Sequence, residues 1–200
     1  MTVQTRNDEA QSLIRSDTPY PGLLLIGQVT LAAPGLITFP PSGSLPANFR
    51  NLLVIGAVRS VRAGQFRDIL GARFGTGGGA VDAGANYTAT TLQLTNVTPA
   101  YVVSITDTAA RCGQIDGPTA NANAYTGVYL SIPLYQSGFW KQVQYLPSYS
   151  VADNVAANIA FLTGAATWRN AGAISSMTFG GFNAWDNLAT GSNLALYGVY

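Results

Sequence analysis

The chain has 200 residues, 48% of them hydrophobic, with ten cationic and nine anionic side chains for a net charge of +1. That length suits one domain with a sizeable core, and so even a charge balance argues against a general nucleic-acid binder, which carries a strongly basic surface. No stretch approaches the roughly 18 consecutive apolar residues of a membrane-spanning helix, and the single cysteine, Cys112, excludes an intrachain disulfide framework and any Cys-only zinc site.

Residues 1–21, "MTVQTRNDEAQSLIRSDTPYP", differ from the rest of the chain: they are polar and charged and close on a Pro-Tyr-Pro-Gly break. With Asp8, Glu9 and Asp17 and no apolar run, they are not expected to act as a signal peptide. "NDEAQSLIR" has the composition of about two helical turns capped by Asn7 or Asp8, too short to be stable alone. The segment is expected to be an arm that lies on its own domain or on a neighbour, through Thr2, Arg6, Leu13, Ile14 and Tyr20.

From residue 22 the chain reads as strand throughout. Short runs rich in Val, Ile, Leu, Thr and Tyr are divided by Gly, Pro, Asn and Ser. "LLLIGQVTL" (23–31) and "LITF" (36–39) flank an Ala-Ala-Pro-Gly turn, and "NLLVIGAVRS" (51–60), apolar on both faces, reads as a central strand. "LGARFG" (70–75) runs into a glycine-rich loop. "NYTATTLQL" (86–94), "YVVSITDT" (101–108), "AYTGVYLSIPLY" (124–135), "KQVQYL" (141–146), "NIAFLTGAATW" (158–168) and "AISSMTFGG" (173–181) come next. "SNLALYGVY" (192–200) closes the chain with Leu194 and Leu196 on one face and Tyr197 and Val199 on the other, as a core strand would. About ten strands and no long helix predict an all-β fold, an antiparallel β-sandwich of jelly-roll type over 22–200.

Side chains suited to chemistry are few. Without histidine, Ser-His-Asp and Cys-His nucleophiles and His-based metal sites are excluded. Glycosidase chemistry needs two facing carboxylates, and the acids are scattered singly. Asp82, Asp107, Asp116, Asp153 and Asp186 form no calcium-loop pattern and read as turn residues. "GTGGGAVDAG" (75–84) lacks the Gly-Lys-Ser/Thr ending of a phosphate loop. No catalysis, metal or cofactor is expected. Trp140, after Phe139, and Trp185, before Asp186 and Asn187, fall in predicted loops, where an indole beside Asp and Asn suits stacking on a sugar ring; packing in a core or interface is the commoner fate of tryptophan. Five arginines between Arg50 and Arg73 (with Arg59, Arg62 and Arg67) form a salt-bridged or interface face more readily than a phosphate patch.

Charged residues are only 10% of the chain, against a usual quarter, with one lysine (Lys141) and one glutamate (Glu9). A surface so short of solvating residues is covered by neighbours or carpeted with Ser, Thr, Asn and Gly; low lysine usage in the source organism accounts for it equally well.

Three blocks resemble a jelly-roll type domain of tailed-bacteriophage structural proteins. They are "LPANFRNLLVIGAVRS…ILGARFGTGGGAVDAGANYTATTLQ" (45–93), "VYLSIPLYQSGFWKQV" (128–143) and "WRNAGAISSMTFGG…NLATGSNLALYGVY" (168–200), of which the closing "GSNLALYGV" is the most specific. The chain departs from the family at Gly75-Thr76, where Asp or Asn is usual. The resemblance implies a virion structural protein without catalytic residues. A capsid decoration or head-auxiliary protein is expected first, bound to the major capsid protein or to tail proteins and to copies of itself as a trimer. The alternative is a tail-tip or fibre module that binds host surface polysaccharide through Trp140, Trp185, Asp186 and Asn187. Neither a membrane nor a specific nucleic acid is an expected partner.

Overall fold

The computed structural model describes residues 22–77, 80–95, 99–151 and 159–200. The arm expected at 1–21, with Thr2, Arg6, Leu13, Ile14 and Tyr20, lies outside them, as does the turn expected at Asp153. Among the described residues there is no helix. The strands are β1 Leu23–Thr30, β2 Ile37–Phe39, β3 Asn51–Val58, β4 Arg67–Gly75, β5 Tyr87–Thr95 and β6 Pro99–Asp107. They continue with β7 Ala110–Asp116, β8 Thr126–Pro133, β9 Lys141–Val151, β10 Ile159–Trp168, β11 Ser176–Gly181 and β12 Asn193–Val199.

They form two antiparallel sheets, one of eight strands in the order β1-β12-β3-β8-β9-β10-β5-β6 and one of four in the order β2-β11-β4-β7. The sheets face one another, β7 lying on β9 and β10 and β2 near β1 and β12, so the fold is the expected β-sandwich. The alternation seen in the sequence decides which side chains meet. Leu52, Val54, Leu130, Ile132, Leu194 and Leu196 of the large sheet and Ile37, Phe39, Leu70, Phe74, Met177 and Phe179 of the small one are buried in a common core. Each such side chain contributes about 1.5–3 kcal/mol through removal from water.

The chain passes between the sheets as it runs. β1, β3, β8 and β12 lie in the large sheet and β2, β4, β7 and β11 in the small one. Two hairpins are added to this frame: β5–β6 between β4 and β7, and β9–β10 between β8 and β11. They pair with each other through β5 and β10, which widens the large sheet by four strands. β6 ends up at one edge of the large sheet, paired among the described strands with β5 alone.

β12 lies between β1 and β3, hydrogen-bonded to both, with Leu194 and Leu196 fully buried. Its Gly198 is required by packing: a Cβ there would sit 2.3 Å from the ring of Phe49. One strand had no counterpart in the sequence pattern. β7, "ARCGQID", lacks alternation because it is buried along nearly its whole length.

Candidate functional site

The turn between β8 and β9 is a built feature. Phe139 and Trp140 stand 74% and 61% exposed. The chain is turned there by Leu134, held at φ 50°, and anchored by buried Tyr135, whose hydroxyl donates to the carbonyl of Pro46. The next residue, Lys141, points into the protein and is itself buried. Its ammonium donates to the carbonyl of Ser137 at 2.6 Å and to that of Phe139, with Ala171 O at 3.4 Å. Burial lowers its pKa. A buried cation is tolerated because carbonyl oxygens solvate it, and the same bonds fix the aromatic pair in place.

Trp185 lies elsewhere. Ile174, just before β11, donates its N–H to the carbonyl of Tyr135, so β11 starts near the Trp140 turn; Trp185 comes after the far end of β11. The four residues expected as carbohydrate contacts, Trp140 and the Trp185-Asp186-Asn187 run, therefore lie in two separate places. Trp185 folds over the outer face of the small sheet, close to Gly71 and Gly180, with the Arg73 guanidinium 3.9 Å from its ring centre. Arg73 Nε in turn donates to Thr108 O at 3.0 Å. Asp186 exchanges two backbone hydrogen bonds with Gly181, and the carbonyl of Asn187 accepts from the N–H of Val61. Phe182, in the same turn, carries Arg111 over its ring at 4.4 Å, and Arg111 pairs with Asp107 at 2.9 Å. One face of Trp185 is thus occupied by a cation, and the turn acts as a clasp on the small sheet.

Trp168 is a core residue. It stacks on Tyr87 and packs against Phe74, and its Nε1 donates to Asp82 Oδ2 at 2.8 Å. The Tyr87 hydroxyl donates to Asp82 O and accepts from the N–H of Phe74, and burial pushes its pKa upward. Asp82 therefore ties the glycine-rich loop to the aromatic cluster.

The five arginines between 50 and 73 do not form a common patch. Arg50 is exposed ahead of β3. Arg59 is buried, and its guanidinium donates to the carbonyls of Pro118, Ala120, Asn121 and Ala122. Arg62 pairs with Asp68 at 3.5 Å, Arg67 lies over Phe66 and Arg73 over Trp185. A cleft of about 180 Å³ is lined by Arg62, Arg67, Asp68, Gln93 and Asn183, among others. Its one carboxylate, Asp68, already accepts from Ser60 Oγ at 2.9 Å and Asn183 Nδ2 at 2.6 Å. The cleft offers hydrogen-bond partners and no facing pair of carboxylates. Among the described residues no three His, Cys, Asp or Glu side chains converge as a metal site would require.

The most extensive feature is the outer face of the large sheet. Its register places on that face Leu23 and Leu25 of β1, Tyr197 and Val199 of β12, Ile55 of β3, Tyr129 of β8, Leu146 of β9, Leu92 and Leu94 of β5, and Tyr101, Val103 and Ile105 of β6. Between them stand Ala, Gly, Ser, Thr, Asn and Gln. Among the described residues no Lys, Arg, Asp or Glu projects from it. Eight strands about 4.8 Å apart and seven or more residues long give a face of about 800 Å². That matches the roughly 800 Å² each partner contributes to a standard interface. Comparison with known proteins adds no constraint: no family model, no curated protein and no solved structure matches the chain.

Proposed function

We propose that the protein is a non-enzymatic structural component of a tailed-bacteriophage virion, a capsid decoration or head-auxiliary protein bound to the assembled particle through the major capsid protein. The observation that carries the proposal is the charge-free outer face of the large sheet, where Leu, Ile, Val and Tyr stand among uncharged polar residues over an area large enough to be an interface. The path of β1 to β4, β7, β8, β11 and β12, passing between the two sheets, supports a jelly-roll frame with two inserted hairpins. That frame accords with the resemblance of the 45–93, 128–143 and 168–200 blocks to phage structural domains. Nothing in the described clefts offers the paired groups that hydrolysis of sugar polymers uses.

The test is to dissociate purified particles and follow the protein through separated heads and tails. Recovery with emptied heads is expected. Absence from both fractions contradicts a virion role, and recovery with tails alone favours the second reading.

That second reading, a tail-tip or fibre module for host surface polysaccharide, is favoured by one observation: Phe139 and Trp140 are exposed on a turn fixed by the Lys141 ammonium. A rigid exposed indole suits stacking on a sugar ring. It requires saturable binding to host cell-wall polysaccharide that Trp140→Ala abolishes, and unchanged binding in that variant removes it.

A further inference from the structure

The β5–β6 hairpin is an addition to the frame, and its outer strand is one of the two edge strands of the large sheet. β6 pairs with β5 along one side and with no described strand along the other. A strand of nine residues with a free edge is a template for pairing with another chain, and proteins usually blunt such an edge with charge, proline or a short length. β6 carries Pro99 at its start and Asp107 at its end and neither in between. Instead it turns Tyr101, Val103 and Ile105 outward at 77%, 69% and 65% exposure. Pairing with β5 fixes that orientation: Tyr101 lies opposite Leu92 and Val103 opposite Thr90, all on the outer face.

We propose that the free edge of β6 pairs with β6 of a second copy of this chain, antiparallel about a twofold axis at Val103. The sequence of the strand is self-complementary in that register. Tyr101 falls opposite the partner copy's Ile105 and Ile105 opposite its Tyr101, an aromatic with a β-branched side chain, which is among the favourable cross-strand pairs. Val103 meets itself, Val102 meets Ser104, and Asp107 falls opposite Pro99, so no charge faces a like charge. This symmetry selects a copy of the chain over an unrelated partner, because a closed twofold contact requires one strand to match its own reverse. The register of β6 with β5 slips between Ser104 and Asp107, so the regular part of the strand that the second copy meets is centred on Val103.

An edge about 30 Å long and about 10 Å deep offers about 300 Å² per copy, less than a stable specific interface buries. The pair is therefore weak in free solution and strengthened where copies are held side by side, as on a particle surface. The inference deepens the assembly role by naming the partner of the β6 edge. It is read by association in solution, whereas the virion role is read by fractionation, so each can fail alone.

The test uses the full chain. In sedimentation velocity the wild type is expected to move from the 20.9 kDa monomer towards a dimer as concentration rises through the micromolar range. Opposed Cα atoms in an antiparallel pair are about 4.5–5.5 Å apart, within the span of a disulfide. Val103→Cys should therefore form a covalent dimer on mild oxidation. Tyr101→Cys and Ile105→Cys should link efficiently only when the two variant chains are mixed. The wild type, whose Cys112 is buried, should not link. Val103→Lys should weaken association by about tenfold or more by setting two like charges opposite one another, with thermal unfolding close to wild type. A wild type that stays monomeric overturns the proposal. So do undiminished association in Val103→Lys, self-linking of Tyr101→Cys as readily as Val103→Cys, and a trimer that Val103→Cys does not link.

Discussion

Three donors converge on the Asp82 carboxylate: Trp168 Nε1, the Gly84 N–H and the Asn86 side-chain amide, at 2.8, 2.8 and 3.0 Å. Burial opposes the ionised form, but these hydrogen bonds and the nearby Arg73 outweigh it and hold the carboxyl below its ordinary value. With the folded pKa below the unfolded one, the carboxylate adds stability above the unfolded value of about 3.9. That contribution is lost as pH falls through the folded pKa. Asp82→Asn is expected to cost about 1 kcal/mol at neutral pH, at the low end for a charged hydrogen-bonded group because the site is partly open to water. The gap between variant and wild type in thermal melts should close below about pH 4. A gap of equal size at pH 7 and pH 3 would show that ionisation of Asp82 plays no part. None of this was legible in the sequence, where Asp82 is one isolated acid and its indole partner lies 86 residues away. The same holds for Trp185, whose availability depends on Arg73 lying over its ring.

At the scale of the strand, much more could be read. The closing "SNLALYGVY" shows period-2 alternation because one face of β12 packs on the core, and the structure places Leu194 and Leu196 there. The alternation also gives the orientation of Tyr101, Val103 and Ile105. It fails for β7, where Arg111, Cys112, Gly113 and Gln114 offer no contrast between faces. A strand covered on both sides has no need of one. Why a glycine comes after Leu196-Tyr197 becomes clear only in three dimensions, since the Phe49 ring occupies the space where a side chain would go. Gly198→Val should displace that ring from its contact with Tyr200, 4.8 Å away between ring centres. The expected cost is about 1–3 kcal/mol, the range for overpacking a core. Denaturant unfolding checks this, and a midpoint equal to wild type would mean that Phe49 moves aside freely.

For the whole molecule, the scarcity of charge noted in the composition acquires a location. The small-sheet side carries Arg62, Asp68, Arg73, Asp107 and Arg111 in pairs and ring contacts, while the large sheet turns an uncharged face outward. Composition alone left coverage by neighbours and low lysine usage level. The uncharged face is the surface that coverage by neighbours would use. The inserted hairpins matter for the same reason: they double the width of the large sheet without a matching extension of the small one, adding outer face and a free edge beyond what the core needs.

Hydroxyl-radical footprinting of side chains, comparing the dilute protein with particle-bound material, tests the central claim that this face is covered in the assembled state. Oxidation of Tyr101, Tyr129 and Leu146 is expected to fall several-fold on assembly, with residues of the opposite side, such as Phe182, changing little. Equal labelling of the three residues in both samples would contradict it.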